Sequence, residues 1–451
     1  MELHAILEPG DTPTAGMWYV LSPKGEPPSM RVGHTITFIP GKDDKQGKML
    51  LVGGANPSGP FNDLHILNLE FYEWDDPDWK GLLPRYEHSA FRPTSQPDKL
   101  YIFGGAEQGS NLNDIQLLDI GKGKWSSVSA SGKIPSARTC NSMASIDDKL
   151  YIFGGGQAGA HPVGDRQVHV FNAVTTSWSQ PNVKGNPPKP RHGHIMVAIG
   201  NKIYVHGGMA GQTFYDDLHE LDTVALNWKQ VKCKGAVPCS RTAHTGVSLN
   251  NKLYIFGGMG RDSALDDLYV LDTGNFKWSK IEISGPPPPP RLDHAMCVIE
   301  MKATVVKASE DMDREPQSAN KDVKEVKDEE SNIDDDNENT KALENAAEVV
   351  PDDDKEDGAN DVDTVDSEGG VVKAEVVLDS AGEVANEGGA LECVGGGAKE
   401  DSALESVERV VKKEGACAAA PDTRTYEMLL IHGGMDTQGE IFDDTLVVLV
   451  P

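Results

Sequence analysis

The chain has 451 residues, 71 Asp plus Glu against 42 Lys plus Arg, and a formal net charge of -29. That excess of acid argues against recognition of DNA or RNA, which needs clustered cations on the phosphate backbone. No stretch approaches the roughly 18 apolar residues that span a bilayer, residues 1–20 lack the basic start and long apolar run of an export signal, and the six cysteines show no CxxC spacing, so the expectation is a protein of a reducing cytosol without a zinc site or disulfide framework.

From the N-terminus, residues 17–22 (MWYVLS) read as an isolated strand containing Trp18. Arg31 follows Trp18 by 13 residues, and a short apolar run then ends in the pair Gly53-Gly54. The same double glycine recurs at Gly104-Gly105, Gly154-Gly155, Gly207-Gly208, Gly257-Gly258 and Gly433-Gly434, the first five spaced by 51, 50, 53 and 50 residues. The runs before the pairs (MLLV, LYIF, IYVH, MLLIH) are short, apolar and rich in β-branched and aromatic side chains, as in strands buried on both faces. A Trp follows the first glycine by 21 or 24 residues at Trp74, Trp125, Trp178, Trp228 and Trp278, and an Arg follows each Trp by 11 or 13 at Arg85, Arg138, Arg191, Arg241 and Arg291.

Each unit accommodates four strands: a run after the Arg such as residues 244–250 (HTGVSLN), a tight turn such as Asp147-Asp148 or Asn250-Asn251, the double-glycine strand, a third strand such as residues 216–222 (DDLHELD), and the Trp strand. Four short antiparallel strands per roughly 50 residues, six times over, predict an all-β, six-bladed propeller. The sixth unit stops at Pro451 before any Trp. The orphan strand at Trp18 is therefore expected to complete the last blade and close the ring.

The sixth unit is also interrupted. Arg291 precedes Gly433 by 142 residues, whereas Arg138, Arg191 and Arg241 precede their glycines by 16. Residues 302–424 hold 35 acidic and 14 basic residues and none of the Phe, Trp or Tyr of the chain, a composition that cannot bury enough apolar surface to offset its ordering entropy. The expected organisation is a propeller over residues 1–301, a disordered acidic insertion over 302–424, and the remainder of blade 6 over 425–451. Within the insertion, residues 402–414 (SALESVERVVKKE) place Leu404, Val407, Val410 and Val411 at helical spacing, the pattern of a partner helix or of a solvated spacer.

The repeated polar residues carry two readings. The motif Arg-x-x-His stands at Arg31/His34, Arg85/His88, Arg191/His194, Arg241/His244 and Arg291/His294, with Asn141 in place of His after Arg138. A group repeated in every blade first suggests structure: Arg tying blades together and His satisfying backbone groups. The second reading is a face on which Arg31, Arg85, Arg138, Arg191, Arg241 and Arg291 receive an acidic partner. The glycine pairs lead into strands rather than helices, so they are expected to serve the backbone and not a phosphate. The Trp of each blade is expected to pack between blades. Catalysis needs unlike groups converging on one point; His192, His206, His219 and His432 are additional histidines, but His206 and His432 stand where sister blades have Phe. No catalytic residue, cofactor or metal is expected.

These units, GG, DDL-x-x-LD, Trp and P-x-x-R-x-x-H, resemble the kelch-repeat family over residues 18–300 and 427–451. Plant propellers that hold iron through Glu-x3-Asp-x3-His offer a metal-dependent alternative, but here Glu440 and Asp444 are followed by Val448. No adaptor domain is expected before the ring, unlike in kelch proteins that serve ubiquitin ligases. Residues 7–11 (LEPGD), 52–57 (VGGANP), 81–88 (GLLPRYEH), 185–194 (GNPPKPRHGH), 291–297 (RLDHAMC) and 439–444 (GEIFDD) look like the stand-alone kelch propellers that act as effectors of Rab GTPases, although the insertion is longer here. That resemblance implies a monomeric, non-enzymatic interaction module that binds a GTP-loaded Rab, works in endosome-to-trans-Golgi transport, and sits in the cytoplasm or peripherally on endosomes. A generic scaffold or substrate adaptor is the alternative.

Overall fold

The computed structural model describes residues 4–43, 45–139, 142–158, 161–305 and 422–451. Among these there is no helix, and the strands form six sheets of four antiparallel strands, several with one further parallel strand at the outer edge, together with four two-stranded ribbons. Blades 1 to 5 run from the inner strands Thr35–Ile39, Ser89–Phe91, Ser142–Ile146, Ile195–Ile199 and Thr245–Leu249 outward to the Trp strands Glu73–Asp75, Lys124–Val128, Ser177–Ser179, Asn227–Val231 and Lys277–Lys280. Blade 6 combines Ala295–Val305, Asp422–His432 and Thr445–Val448 with the N-terminal strand Trp18–Leu21, which pairs Trp18 with Val448 and Leu21 with Thr445. The first and last segments of the described chain thus share one sheet, and the ring is closed.

Side chains alternate along a strand, and in the second strand of each blade both faces are buried. Met49 and Leu51 pack toward blade 6, whereas Leu50 and Val52 pack toward blade 2. Repeated around the ring, this makes an apolar cluster between every pair of neighbouring blades. It explains why these strands read as unbroken apolar runs. The Trp of one blade stacks on the residue before the double glycine of the preceding blade: Trp178 on Phe103 at 4.9 Å, Trp228 on Phe153 at 5.5 Å, Trp278 on His206 at 5.3 Å, Trp18 on Phe256 at 5.5 Å and Trp74 on His432 at 5.6 Å. His206 and His432 are 0% and 1% exposed and occupy this core position.

The rim has its own inter-blade tie. Lys184–Gly185, leaving blade 3, pairs parallel to Asn227 and Trp228 of blade 4, and equivalent straps join blades 2 to 3 and 4 to 5. A side chain at Gly185 would stand 2.1 Å from the Trp228 carbonyl oxygen, and the residue holds φ at +84°, so only glycine fits.

The inner hairpin of blade 6 is longer than its sisters. Its ladder continues through Lys302–Thr425 to Val305–Asp422, into the span 302–424 assigned to the insertion by composition. The added pairs are anchored sideways to blade 1: Gln46 Oε1 accepts from the Lys302 backbone amide at 2.8 Å, and Gln46 Nε2 donates to the Lys302 carbonyl at 2.6 Å. The rest of the insertion, including the helical pattern at 402–414, lies outside the described residues.

If ring closure depends on the N-terminal strand, Trp18→Ala should lower the unfolding free energy by roughly 3–5 kcal/mol, as much as Trp228→Ala in an internal blade. Urea denaturation followed by intrinsic fluorescence checks this; an unchanged midpoint for Trp18→Ala would mean that the seam is dispensable.

Candidate functional site

The six repeated arginines are 0–1% exposed. Arg191 shows the arrangement. Its Nε donates to the Lys189 carbonyl at 3.1 Å, Nη1 to the Gly207 carbonyl at 2.8 Å, and Nη1 and Nη2 to the two oxygens of Asp217 at 2.6 and 3.1 Å. Its own carbonyl meanwhile accepts from the Gly155 amide at 2.9 Å. The backbone of Arg191 therefore holds blade 3, while its side chain holds the second and third strands of blade 4. Arg31, Arg85, Arg241 and Arg291 do the same through Asp63, Asp114, Asp267 and Asp444, with the Gly54, Gly105, Gly155, Gly208, Gly258 and Gly434 amides each bonded to the carbonyl of the next arginine around the ring. Aromatic rings cap several guanidiniums, Phe61 over Arg31 at 4.0 Å, Tyr215 over Arg191 at 4.2 Å and Phe442 over Arg291 at 4.5 Å.

This placement corrects the reading of the six arginines as a partner-binding face. A guanidinium taken out of water needs its donors satisfied and its charge paired, and each of these is turned inward to do so, leaving none for an external carboxylate. The paired aspartates were the missed residues. They stand ten or eleven positions after the first glycine of each pair, at Asp63, Asp114, Asp165, Asp217, Asp267 and Asp444, a spacing as regular as that of the arginines. Asp444, the second carboxylate of the metal-like motif, is engaged by Arg291 in this way, and Val448 is buried in its strand.

Blade 3 departs from the pattern. Arg138 lies 3.8 Å from Asp165 and gives its Nη2 instead to the Ser136 hydroxyl at 2.9 Å, because Asp165 is drawn 2.5 Å from His169 Nε2. Elsewhere a histidine reinforces the pair: His219 Nε2 lies 3.0 Å from Asp217 and His65 Nε2 3.1 Å from Asp63. Burial by itself would raise the Asp63 carboxyl, but hydrogen bonds from His65 and Arg31 hold it at about 2.

Inside the arginine ring runs a central channel of about 270 Å³, lined in part by His34, His88, His194, His244 and His294. The residue before each histidine forms a second ring, of backbone hydrogen bonds: Glu87 amide to Gly33 carbonyl at 2.7 Å, Gly33 to Asp293 at 3.1 Å, Asp293 to Ala243 at 3.1 Å and Ala243 to Gly193 at 2.7 Å. Cys140 and Asn141 of blade 3 lie outside the described residues. The turn needs positive φ; Glu87 and Asp293 adopt +52° where sister blades place Gly33 and Gly193. Both carboxylates line the channel, and the Thr139 hydroxyl bonds Glu87. Shielding from bulk water, with the Glu87 charge nearby, pushes the Asp293 carboxyl up to about 7.

The histidines are held neutral. Burial, then the neighbouring arginine, lowers His88 and His294 to about 3, and burial dominates at His194, His206 and His432. His88 Nε2 meets the Thr35 hydroxyl of the preceding blade at 2.9 Å, and His294 Nε2 meets that of Thr245 at 2.7 Å. His206 Nδ1 and His244 Nε2 are hydrogen-bonded at 3.1 Å, one ring donating and the other accepting. His192 is also buried, its backbone bridged to Met209.

Comparison with known proteins agrees with this architecture. The KLHDC2/KLHL20/DRC7 Kelch-repeats domain matches residues 44–258 and 155–319. Proteins named Rab9 effector protein with kelch motifs are similar to the chain: that of Xenopus laevis is 45% identical over 220 residues, 48% of this chain and 60% of its own, and that of Homo sapiens 46% identical over 215, 47% and 58%. Tip elongation aberrant protein 1 of Schizosaccharomyces pombe is 31% identical over 142 residues, 12% of its length. The chain thus spans about three fifths of the length of the first two relatives.

Two outcomes follow. Asp217→Ala leaves the fully buried Arg191 without its carboxylate and should cost roughly 3–5 kcal/mol, whereas Asp165→Ala should cost clearly less, since Arg138 already bonds Ser136; chemical denaturation of the two variants checks the ranking. The pH dependence has two arms. Histidines with folded pKa values below their unfolded values contribute stability that is complete above about pH 6.5 and is lost as pH falls toward 3. Asp293, whose folded pKa is raised, contributes stability that is present below about pH 4 and lost as pH rises through 7. Asp293→Asn, which tolerates positive φ, should therefore raise the thermal midpoint at pH 8.5, where the cost of ionising Asp293, built up at no more than roughly 1.4 kcal/mol per pH unit between about pH 4 and 7, is fully present, and change it least below about pH 4. Scanning calorimetry across this range reads both arms.

Proposed function

Because the chain belongs to the kelch-repeat family, we propose that it is a non-enzymatic interaction module and, more specifically, an effector of a Rab GTPase in endosome-to-trans-Golgi transport. The observation that carries this reading is the identity of about 45%, over 47–48% of the chain, to proteins whose names describe them as Rab9 effectors. The site supports it in a second way. The repeated arginines and aspartates, which would otherwise be candidates for chemistry, are engaged in tying blades together, and the ring offers a rigid, loop-bearing face of the kind that binds other proteins. An effector distinguishes the GTP state, so it contacts the segments that γ-phosphate orders. In this reading the protein works in the cytoplasm and reaches the endosome surface through its membrane-bound Rab; among the described residues no helix is long and apolar enough to cross a membrane.

Pull-down of the full chain with a panel of endosomal Rab GTPases, each loaded with a GTP analogue or GDP, tests the reading. Capture at least tenfold stronger in the GTP-analogue state is expected with one member or a few. Equal capture of both states, or none, would overturn the effector assignment and leave a generic scaffold.

A further inference from the structure

Beyond the staples, the face that carries the blade-to-blade connections and the double-glycine loops is not six-fold. The residue after each double glycine forms a two-residue antiparallel bridge with the residue after the preceding arginine. In blades 1 to 3 that residue is Ala55, Ala106 and Gly156; in blades 4 to 6 it is Met209, Met259 and Met435. All three methionines are partly exposed, and Leu292, bridged to Met435, is too. The next position inward departs from symmetry as well. Glu87 and Asp293 line the channel where two other blades have glycine and blade 5 has Ala243. Asp293 directly follows Leu292 in the chain and so adjoins the apolar arc, while Glu87 of blade 2 stands one blade beyond it, joined to Asp293 through the backbone of Gly33.

We propose that this half of the face, the arc of Met209, Met259, Met435 and Leu292 with Glu87 and Asp293 at the channel mouth, docks a partner segment that presents one Lys or Arg side chain flanked by apolar ones. Three arguments converge on that occupant. Methionine is unbranched and polarisable and adapts to varied apolar contours, which suits a docking surface better than the alanines and glycine of the other half. The six arginines contribute no net attraction for acid, since their charge is matched by carboxylates within the ring, so Glu87 and Asp293 set the sign of the mouth. Two neighbouring carboxylates of like charge gain from a cation placed between them, and a channel of about 270 Å³ has room for the end of one such side chain. The inference rests on the effector reading only for the partner's identity; the surface and its chemistry stand on the residues named.

The test uses the full chain with methionine methyl groups labelled with ¹³C. Titration with the blocked peptide Leu-Phe-Lys-Phe-Leu should shift the Met209, Met259 and Met435 resonances saturably, and the peptide with Glu at its centre should bind at least tenfold more weakly. In the double variant Glu87→Gln, Asp293→Asn the preference for Lys should vanish while the methionine shifts of the folded protein persist. No shift of these methionines with either peptide, or an undiminished Lys preference in the double variant, overturns the proposal whatever the Rab pull-down shows. If a GTP-loaded Rab binds wild type and moves only methionines outside this arc, the docking surface is refuted while the effector reading stands.

Discussion

The ring depends on one interaction repeated six times: a buried arginine whose backbone carbonyl holds one blade and whose guanidinium holds the next. A propeller blade is only four short strands, too small to bury its own two faces. The hydrophobic contacts between blades are strong but carry little direction, and sliding one sheet against another would cost few of them. Bidentate pairing to an aspartate and a fixed hydrogen bond to a glycine carbonyl have strict geometry. They set the angle and height at which consecutive blades meet, and so whether the sixth meets the first.

The same logic explains the glycines. One arginine's guanidinium reaches the first glycine's carbonyl, and the second glycine's amide reaches the next arginine's carbonyl, only if the strand end turns sharply in between. At Gly105 a side chain would lie 2.5 Å from the Tyr86 carbonyl oxygen, so the pair is required by close approach of backbones. The rim straps add a second attachment far from the axis, which resists the tilting that an inner staple alone would permit.

Sixfold constraints leave little room for function in the repeated parts of each blade, so specificity resides where the repeat is broken. Three methionines occupy one half of a face, two carboxylates sit at left-handed positions that other blades give to glycine, Asp165 turns from Arg138 to His169, and the hairpin of blade 6 runs past the length of its sisters. Each departure lies in a loop or at a strand end, where the staples and the inter-blade core tolerate change.

Strand identity, blade number and ring closure were legible in the chain, because double glycine, Trp and Arg recur at nearly constant intervals and the unit that lacks its Trp strand is matched by an N-terminal strand that lacks a unit. Charge and missing aromatics set residues 302–424 apart in the sequence, but did not show that the blade 6 ladder runs on into that span, because Gln46 of another blade satisfies Lys302, a contact separated by 256 positions in sequence. The role of the arginines was not settled by the same repeat. Periodicity shows that a residue is needed six times, but not whether its charge faces water or a carboxylate, since that depends on atoms brought together only when blades stack. The approach of Asp293 to Gly33, and through it to Glu87, is likewise a product of closure: residues more than two hundred positions apart become neighbours because a ring must bring its last blade against its first.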